Sequence, residues 1–129
     1  MKLLKAVEVH RVLCETMETE AGFSFAHALC MAKARLDPHV QFFAEKEMKM
    51  IRKYAVPGED GDIVGPDGKF NVKPEEAKKF FAEKQELDAV EVEVEKVKVS
   101  TPPERISGKA LELLLEVMDF RDEREGDET

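Results

Sequence analysis

The chain has 129 residues, of which 43% are hydrophobic and 37% charged, a balance typical of folded domains rather than disordered chains. Its net charge of −8 argues against direct nucleic-acid binding by neutralisation of phosphates. No apolar run approaches the ~18 residues of a membrane span, and two cysteines are too few for a disulfide framework. We therefore expect a cytoplasmic protein with a single domain over residues 1–120 and an acidic, frayed tail over residues 121–129.

Two helices are predicted in the first half of the chain. Apolar residues at three- and four-residue spacings predict a first helix over Leu3–Met17. A longer apolar stripe over residues 25–51 predicts a second helix, with Ser24 as its N-terminal cap. Pro38 lies inside this stripe, where a proline removes one backbone hydrogen bond and clashes with the preceding turn. The helix should either kink there or, as we favour, restart with Asp37 as a new cap.

The patterns change to turns and a third helix after residue 58. Glycine and proline at residues 65–68 lie between two short apolar runs, residues 63–64 and 69–72, and predict a β-hairpin. Pro74, followed by two glutamates, predicts a helix start, because proline and acids suit the first helical turn. The buried face of this helix should contain Ala77, Phe80, Phe81, the stem of Lys84, and Leu87.

Valine and glutamate alternate over residues 90–95, which predicts a strand with valines on a buried face and glutamates on an exposed face. Val97 and Val99 have odd numbers, like the glutamates, so without a register change they would lie on the exposed face. A bulge near residues 95–96 would return these two valines to the core face, because one extra residue reverses the alternation.

A leucine-rich segment that begins at Ser107 or Gly108 predicts the last helix. Its inward-facing residues should be Ala110, Leu111, Leu114, Leu115, Val117 and Met118. Together the elements predict an α+β domain. Long N-terminal helices pack on a small, mostly antiparallel sheet, made of the hairpin and the valine–glutamate strand, and a C-terminal helix completes the fold.

Two histidines and two cysteines form the one pattern that suggests a metal. His10 and Cys14 are four residues apart on the first predicted helix, and His27 and Cys30 are three apart on the second. An antiparallel helix pair could bring these four zinc-type ligands together. The spacing matches no familiar zinc motif, and the competing interpretation is that both cysteines are ordinary small buried side chains and the histidines are partly exposed. We therefore predict no metal ligand and no cofactor, and keep a small zinc-binding protein as a second alternative.

Two surfaces are candidates for protein binding. Glu91, Glu93 and Glu95 form a row of carboxylates that, with the tail acids, imitates the charge pattern of a nucleic-acid backbone and suits a basic partner. The competing interpretation is that these charges only prevent aggregation of an edge strand. Phe42 and Met50 lie off the main stripe of the long helix and are candidate apolar contacts. The carboxylate pairs accompany no nucleophile motif or phosphate-binding loop, so no catalytic residue and no enzyme is predicted.

The order of motifs over residues 25–118 carries a resemblance. The motifs are the helix end Ile51-Arg52-Lys53-Tyr54, the turns Gly58-Glu59-Asp60-Gly61 and Pro66-Asp67-Gly68-Lys69, the helix start Lys73-Pro74-Glu75, the valine–glutamate strand and the leucine-rich helix. This order resembles a family of small phage and prophage proteins of unknown function. The resemblance implies a non-enzymatic accessory protein of the host bacterial cytoplasm, and it brings no catalytic residue.

The resemblance therefore implies that the chain binds another protein, of the phage or of the host. The binding would serve virion assembly or the modulation of a host factor. Self-association is compatible with either role. The first alternative is an inhibitor of a host defence complex that uses the carboxylate row against a basic, nucleic-acid-handling partner.

Overall fold

A computed structural model describes residues 1–18, 22–58, 61, 63–65, 68–99 and 106–120. These residues form four α-helices, one 3-10 turn and four short strands, which confirms the predicted α+β class. Across the same ranges, none of the helices combines the length and the apolar character that a membrane crossing requires. The tail predicted at residues 121–129 lies outside the described residues.

Helices α1 (Leu3–Met17) and α2 (Phe23–Tyr54) form the body of the fold and pack along each other. α1 has the bounds that the spacing of its apolar residues predicts. Steps of three and four place its buried residues on one face. They are Leu3, Ala6, Val9 and Leu13, each with no exposed surface.

α2 is one continuous helix of 32 residues with Pro38 inside it, so the predicted restart at Asp37 is wrong. Pro38 and Ala34 are both exposed, so the Ala34 carbonyl, which loses its N–H donor to the proline, lies on the water side of the helix. Leu36 and Phe43, on either side of the proline, are buried in the same core. Packing therefore holds both halves of α2 in one helix despite the missing hydrogen bond.

The predicted cap at Ser24 is also wrong. α2 begins at Phe23, and Gly22 is the residue at its N-cap, without any side-chain hydrogen bond. The first backbone bond of the helix runs from the Ala26 N–H to the Gly22 carbonyl at 2.9 Å. Ser24 consequently lies inside the first turn and is exposed.

Strands β1 (Ala55–Val56) and β2 (Asn71–Val72) pair antiparallel. The tight turn predicted before β2 is present: the Gly68 N–H donates to the Gly65 carbonyl at 2.9 Å, and Gly68 has a φ of +78°. The predicted hairpin partner is wrong, because residues 63–64 form no strand and β2 pairs with the segment directly after α2. Residues 63–64 instead contribute partly buried side chains to the core.

A 3-10 turn (Pro74–Glu76) leads into α3 (Ala77–Asp88), as the proline and the glutamates predict. Phe80 and Leu87 are buried, but the prediction that Phe81 is buried is wrong, since its side chain is 63% exposed. Phe80 takes the inward position because its ring meets Tyr54 and Phe70 edge-on, at centroid distances of 6.0 and 5.8 Å. The next residue is turned about 100° around the helix and faces water.

The segment after α3 confirms the predicted parity change but not the predicted strand. Val92 and Val99 are buried and Val94 and Val97 are partly buried, so the core side does switch parity after residue 94. Val90 is 40% exposed, which corrects its predicted burial. Regular strand structure is limited to β3 (Val97–Val99). Residues 90–92 bond to residues 1–3 at the chain start, and the Val90 N–H also donates to the Leu87 carbonyl at 3.3 Å. The Val92 N–H donates to the Met1 carbonyl at 2.9 Å.

α4 (Gly108–Leu114) begins as predicted, with the Ser107 hydroxyl accepting a bond from the Ala110 N–H at 3.1 Å. The helix ends earlier than its leucines suggest: Met118–Phe120 forms β4, which pairs parallel with β3. The turn that redirects the chain leaves Leu115 44% exposed, which corrects its predicted burial. Two separate two-stranded pairs, one antiparallel and one parallel, thus replace the single, mostly antiparallel sheet.

Candidate functional site

A polar network joins α1 to α2. His10 Nε2 lies 2.8 Å from Asp37 Oδ1, and Lys33 Nζ lies 3.1 Å from Asp37 Oδ2. Because an ionised carboxylate only accepts hydrogen bonds, Nε2 of the imidazole carries the donated proton, and Nδ1 can accept from the Cys14 thiol at 3.8 Å. Asp37, expected as a helix cap, instead binds two side chains.

The environment of Asp37 favours its charged form. Partial burial acts to raise the pKa of Asp37, but the hydrogen bonds from His10 and Lys33, together with the positive charge of Lys33, outweigh it, and the pKa is lowered. The carboxylate is therefore ionised at neutral pH. The network is a polar link between two helices whose other contacts are apolar.

The four residues of the predicted zinc pattern do not converge. Cys14 and Asp37 contact opposite edges of the His10 ring, so they cannot share one metal ion with it. His27 and Cys30 are exposed on the other side of α2. In the described ranges, no group of three or more histidines, cysteines, aspartates and glutamates has a geometry that could hold a metal ion.

A second polar cluster links the end of α2 to α3. The Tyr54 hydroxyl donates to Glu83 Oε1 at 2.7 Å, and Lys53 Nζ donates to the same oxygen at 3.2 Å. The bond from Tyr54 is the main cause that lowers the pKa of Glu83. This cluster orients α3, and nothing in its geometry indicates chemistry.

The acidic row consists of Glu91, Glu93 and Glu95, and all three residues are exposed as predicted. Its negative charge is partly offset by nearby cations. The amino group of Met1 lies 3.6 Å from Glu91 Oε2, and the exposed Lys96 and Lys98 follow directly along the chain. Arg35 reaches the other end of the row, where its guanidinium donates to the Glu95 carbonyl at 2.8 Å.

Phe42 and Met50, the predicted apolar contacts, have different environments. The Phe42 side chain is 43% exposed, whereas Met50 is only 8% exposed. The prediction that Met50 is a surface residue is therefore wrong. Both line a shallow groove of about 410 Å³ between α2 and α3, together with Leu87 and Val90. Packing of α3 against the second half of α2 covers Met50, a contact between distant segments that helical spacing does not show.

The outer face of α2 consists of ten exposed residues between positions 23 and 44, on the side opposite the core. They are Phe23, Ser24, His27, Cys30, Met31, Ala34, Pro38, Gln41, Phe42 and Ala44. None is an acid, a lysine or an arginine, in a chain of which 37% is charged. Phe23 is 96% exposed, the highest value among the large apolar side chains described.

The uncharged stretch ends abruptly along the same helix. The exposed residues that follow on α2 are Glu45, Lys46, Met48, Lys49, Arg52 and Lys53. Solvated helix faces are usually charged, so ten exposed residues without a charge, with aromatic residues at both ends, are typical of a contact surface. The half-exposed side chains of Lys33 and Asp37 lie at its edge and pair with each other. The sequence contains this signal, because one path of three- and four-residue steps, Phe23, His27, Cys30, Ala34, Pro38 and Phe42, carries no charged residue. The apolar stripe of the core, which lies on the opposite face of the helix, does not reveal it.

Comparison with protein-family models, with curated proteins and with solved structures gives no match for this chain. The resemblance to small phage and prophage proteins therefore stays a prediction.

Proposed function

We propose that this protein acts non-enzymatically by binding another protein through the outer face of α2. The observation that carries the proposal is the absence of charge from all ten exposed residues of this face. Burying such a surface removes apolar area from water, while the nearest charged groups, Asp37 at its edge and Lys46 at 5.5 Å from the Phe42 ring centroid, can stay hydrated at the rim. The bacterial cytoplasm and a phage-encoded accessory role, the settings that the resemblance implies, belong to this proposal.

The acidic row is the second candidate surface, favoured by its three exposed carboxylates. The Met1 amino group near Glu91, and the two lysines that follow the row, reduce its net charge and weaken its likeness to a nucleic-acid backbone. Binding there would depend on long-range attraction, which salt screens. Binding through the outer face would not.

Site-specific photo-crosslinking tests the proposal without knowledge of the partner. A photoreactive phenylalanine analogue replaces Phe42 in one variant and Glu93 in a second, in cells that produce the protein. The matched control carries the analogue in place of Phe81, which is exposed on a different helix, α3. A short photochemical reach means that only residues at an interface give a covalent protein adduct.

Adducts from position 42, with none from positions 81 and 93, would support the outer face. Adducts from position 93 alone would contradict the proposal and favour the acidic row. Equal adducts from positions 42 and 81 would show unspecific collision and would also contradict it.

A further inference from the structure

We propose that the occupant of the outer face is a second copy of this chain, packed antiparallel across α2. This inference rests on the proposed function and names the partner of the same face. Three properties of the face support it: the placement of large and small residues, the position of charges, and the area available.

The first property is symmetry. A two-fold dimer uses the same patch on both subunits, so the patch must fit itself when it is reversed. The outer face has phenylalanines at its two ends and the small residues Cys30 and Ala34 near its middle. With the two-fold axis between residues 32 and 33, Phe23 lies beside Phe42 of the partner subunit. Small residues then lie where the two helices approach most closely.

The second property is the position of charges. Each copy has a net charge of −8, so two copies repel each other, and a contact without like-charge pairs adds nothing to that repulsion. The charged groups that border the outer face are Lys33, which pairs with Asp37, Arg35, which donates to the neutral Glu95 carbonyl, and Lys46, whose Nζ lies 5.5 Å from the centroid of the Phe42 ring. Because they lie at the edge of the face, they can stay hydrated at the rim of the contact, where burying an unpaired charge is avoided. The acidic sequence of residues 121–129 is, by contrast, a poor complement for an uncharged face.

The third property is area. The outer face covers about half of a helix some 33 Å long and about 10–12 Å across, which gives about 600 Å² per subunit. The total of about 1,200 Å² is at the lower limit of specific interfaces. We therefore expect a reversible dimer with a dissociation constant on the order of micromolar, rather than an obligate one.

Sedimentation equilibrium of the purified chain measures this association. The expected mass rises with concentration from 14.6 kDa towards twice that value. Phe42→Lys should raise the dissociation constant about tenfold or more, because it removes a buried ring and adds a charge to the contact. Phe81→Lys is the matched control and should change nothing. Both phenylalanines are exposed in the monomer, so circular dichroism should show that both variants keep the fold.

Disulfide trapping tests the antiparallel arrangement. In a Cys30→Ser background, Ala34→Cys places two thiols about 4–5 Å apart along the helix axis, within reach of a disulfide. Ala44→Cys places them about 35 Å apart, which no disulfide spans. Under oxidised glutathione, the position-34 variant should form a covalent dimer and the position-44 variant should not. A parallel dimer would be trapped at both positions.

A monomer at every concentration, well above the micromolar range, would overturn the inference. So would a dimer that Phe42→Lys leaves intact, or one trapped equally at positions 34 and 44. If the chain is monomeric and position 42 still crosslinks to a different protein in cells, the inference of a second copy as the occupant is wrong and the proposed function stands. If neither association nor crosslinking occurs, both fail.

Discussion

The inner and outer faces of α2 have similar chemistry and opposite environments. On the inner face, Leu29, Ala32 and Leu36 are completely buried against the rest of the chain. On the outer face, Phe23, Met31 and Phe42 are equally uncharged but 40% exposed or more. A helix that is uncharged on both sides is normally buried on both sides. The difference teaches that intramolecular packing accounts for only one face and leaves the other open for the contact that we propose.

Truncation of a core residue should separate the two faces most clearly. Leu36→Ala should lower the free energy of unfolding by about 2–5 kcal/mol, because it leaves a cavity in a fully buried site. Met31→Ala, on the outer face, should lower it by less than about 0.5 kcal/mol. Urea denaturation of both variants at a concentration that keeps them monomeric measures this. Similar losses would mean that the outer face is packed within the chain.

The same inside–outside contrast applies to the segment after α3. Val92→Asp should destabilise the fold by about 2 kcal/mol or more, since it places an unpaired charge at a position that is 8% exposed. Glu93→Lys, one residue away and exposed, should leave stability nearly unchanged. Equal melting temperatures for the two variants would contradict the described environment of the valines.

Helix starts give a third, smaller contrast. Ser107→Ala should cost about 1 kcal/mol, because the hydroxyl accepts a bond from the Ala110 N–H at the start of α4. Ser24→Ala should cost much less, since Ser24 lies inside α2 and caps nothing. Thermal unfolding of the two variants distinguishes them, and a larger loss at Ser24 would restore the cap first predicted from the sequence.

Acid should weaken the polar link on the inner side of α2. The folded chain holds the pKa of Asp37 below its ordinary value, so the folded state binds fewer protons than the unfolded state there. The stabilisation is present above about pH 4, the unfolded pKa, and is lost as pH falls through the folded pKa. Asp37→Asn should remove this dependence of the free energy of unfolding on pH. The change should be less than about 1 kcal/mol, because the carboxylate is 46% exposed.

The local elements of this fold could be predicted from the sequence. Periodicity defined α1 over Leu3–Met17, and capping chemistry indicated the 3-10 turn at Pro74 that leads into α3 and the N-cap of α4 at Ser107. Each of these signals lies within a few residues of the feature it controls. The parity change among the valines was likewise readable, because burial alternates residue by residue along an extended segment.

Features that depend on distant contacts could not be predicted. β2 pairs with residues 55–56 rather than with the nearer apolar run, and β4 pairs with a strand some twenty residues earlier. Pro38 stays inside α2 because core contacts on both sides outweigh a local penalty of about 3 kcal/mol. The buried Met50 and the exposed Phe81 differ from prediction for the same reason, since neighbouring elements decide which of several apolar residues is covered.

The most direct test of the outer face as the binding surface is the salt dependence of photo-crosslinking from position 42 in cell extract. The contact proposed is apolar, so the adduct yield should be unchanged or higher at high ionic strength than at low ionic strength, because salt screens the repulsion of an acidic chain and leaves apolar burial intact. A yield from position 42 that collapses as salt rises, while Glu91→Lys with Glu93→Lys abolishes it at low salt, would contradict this account and assign binding to the acidic row.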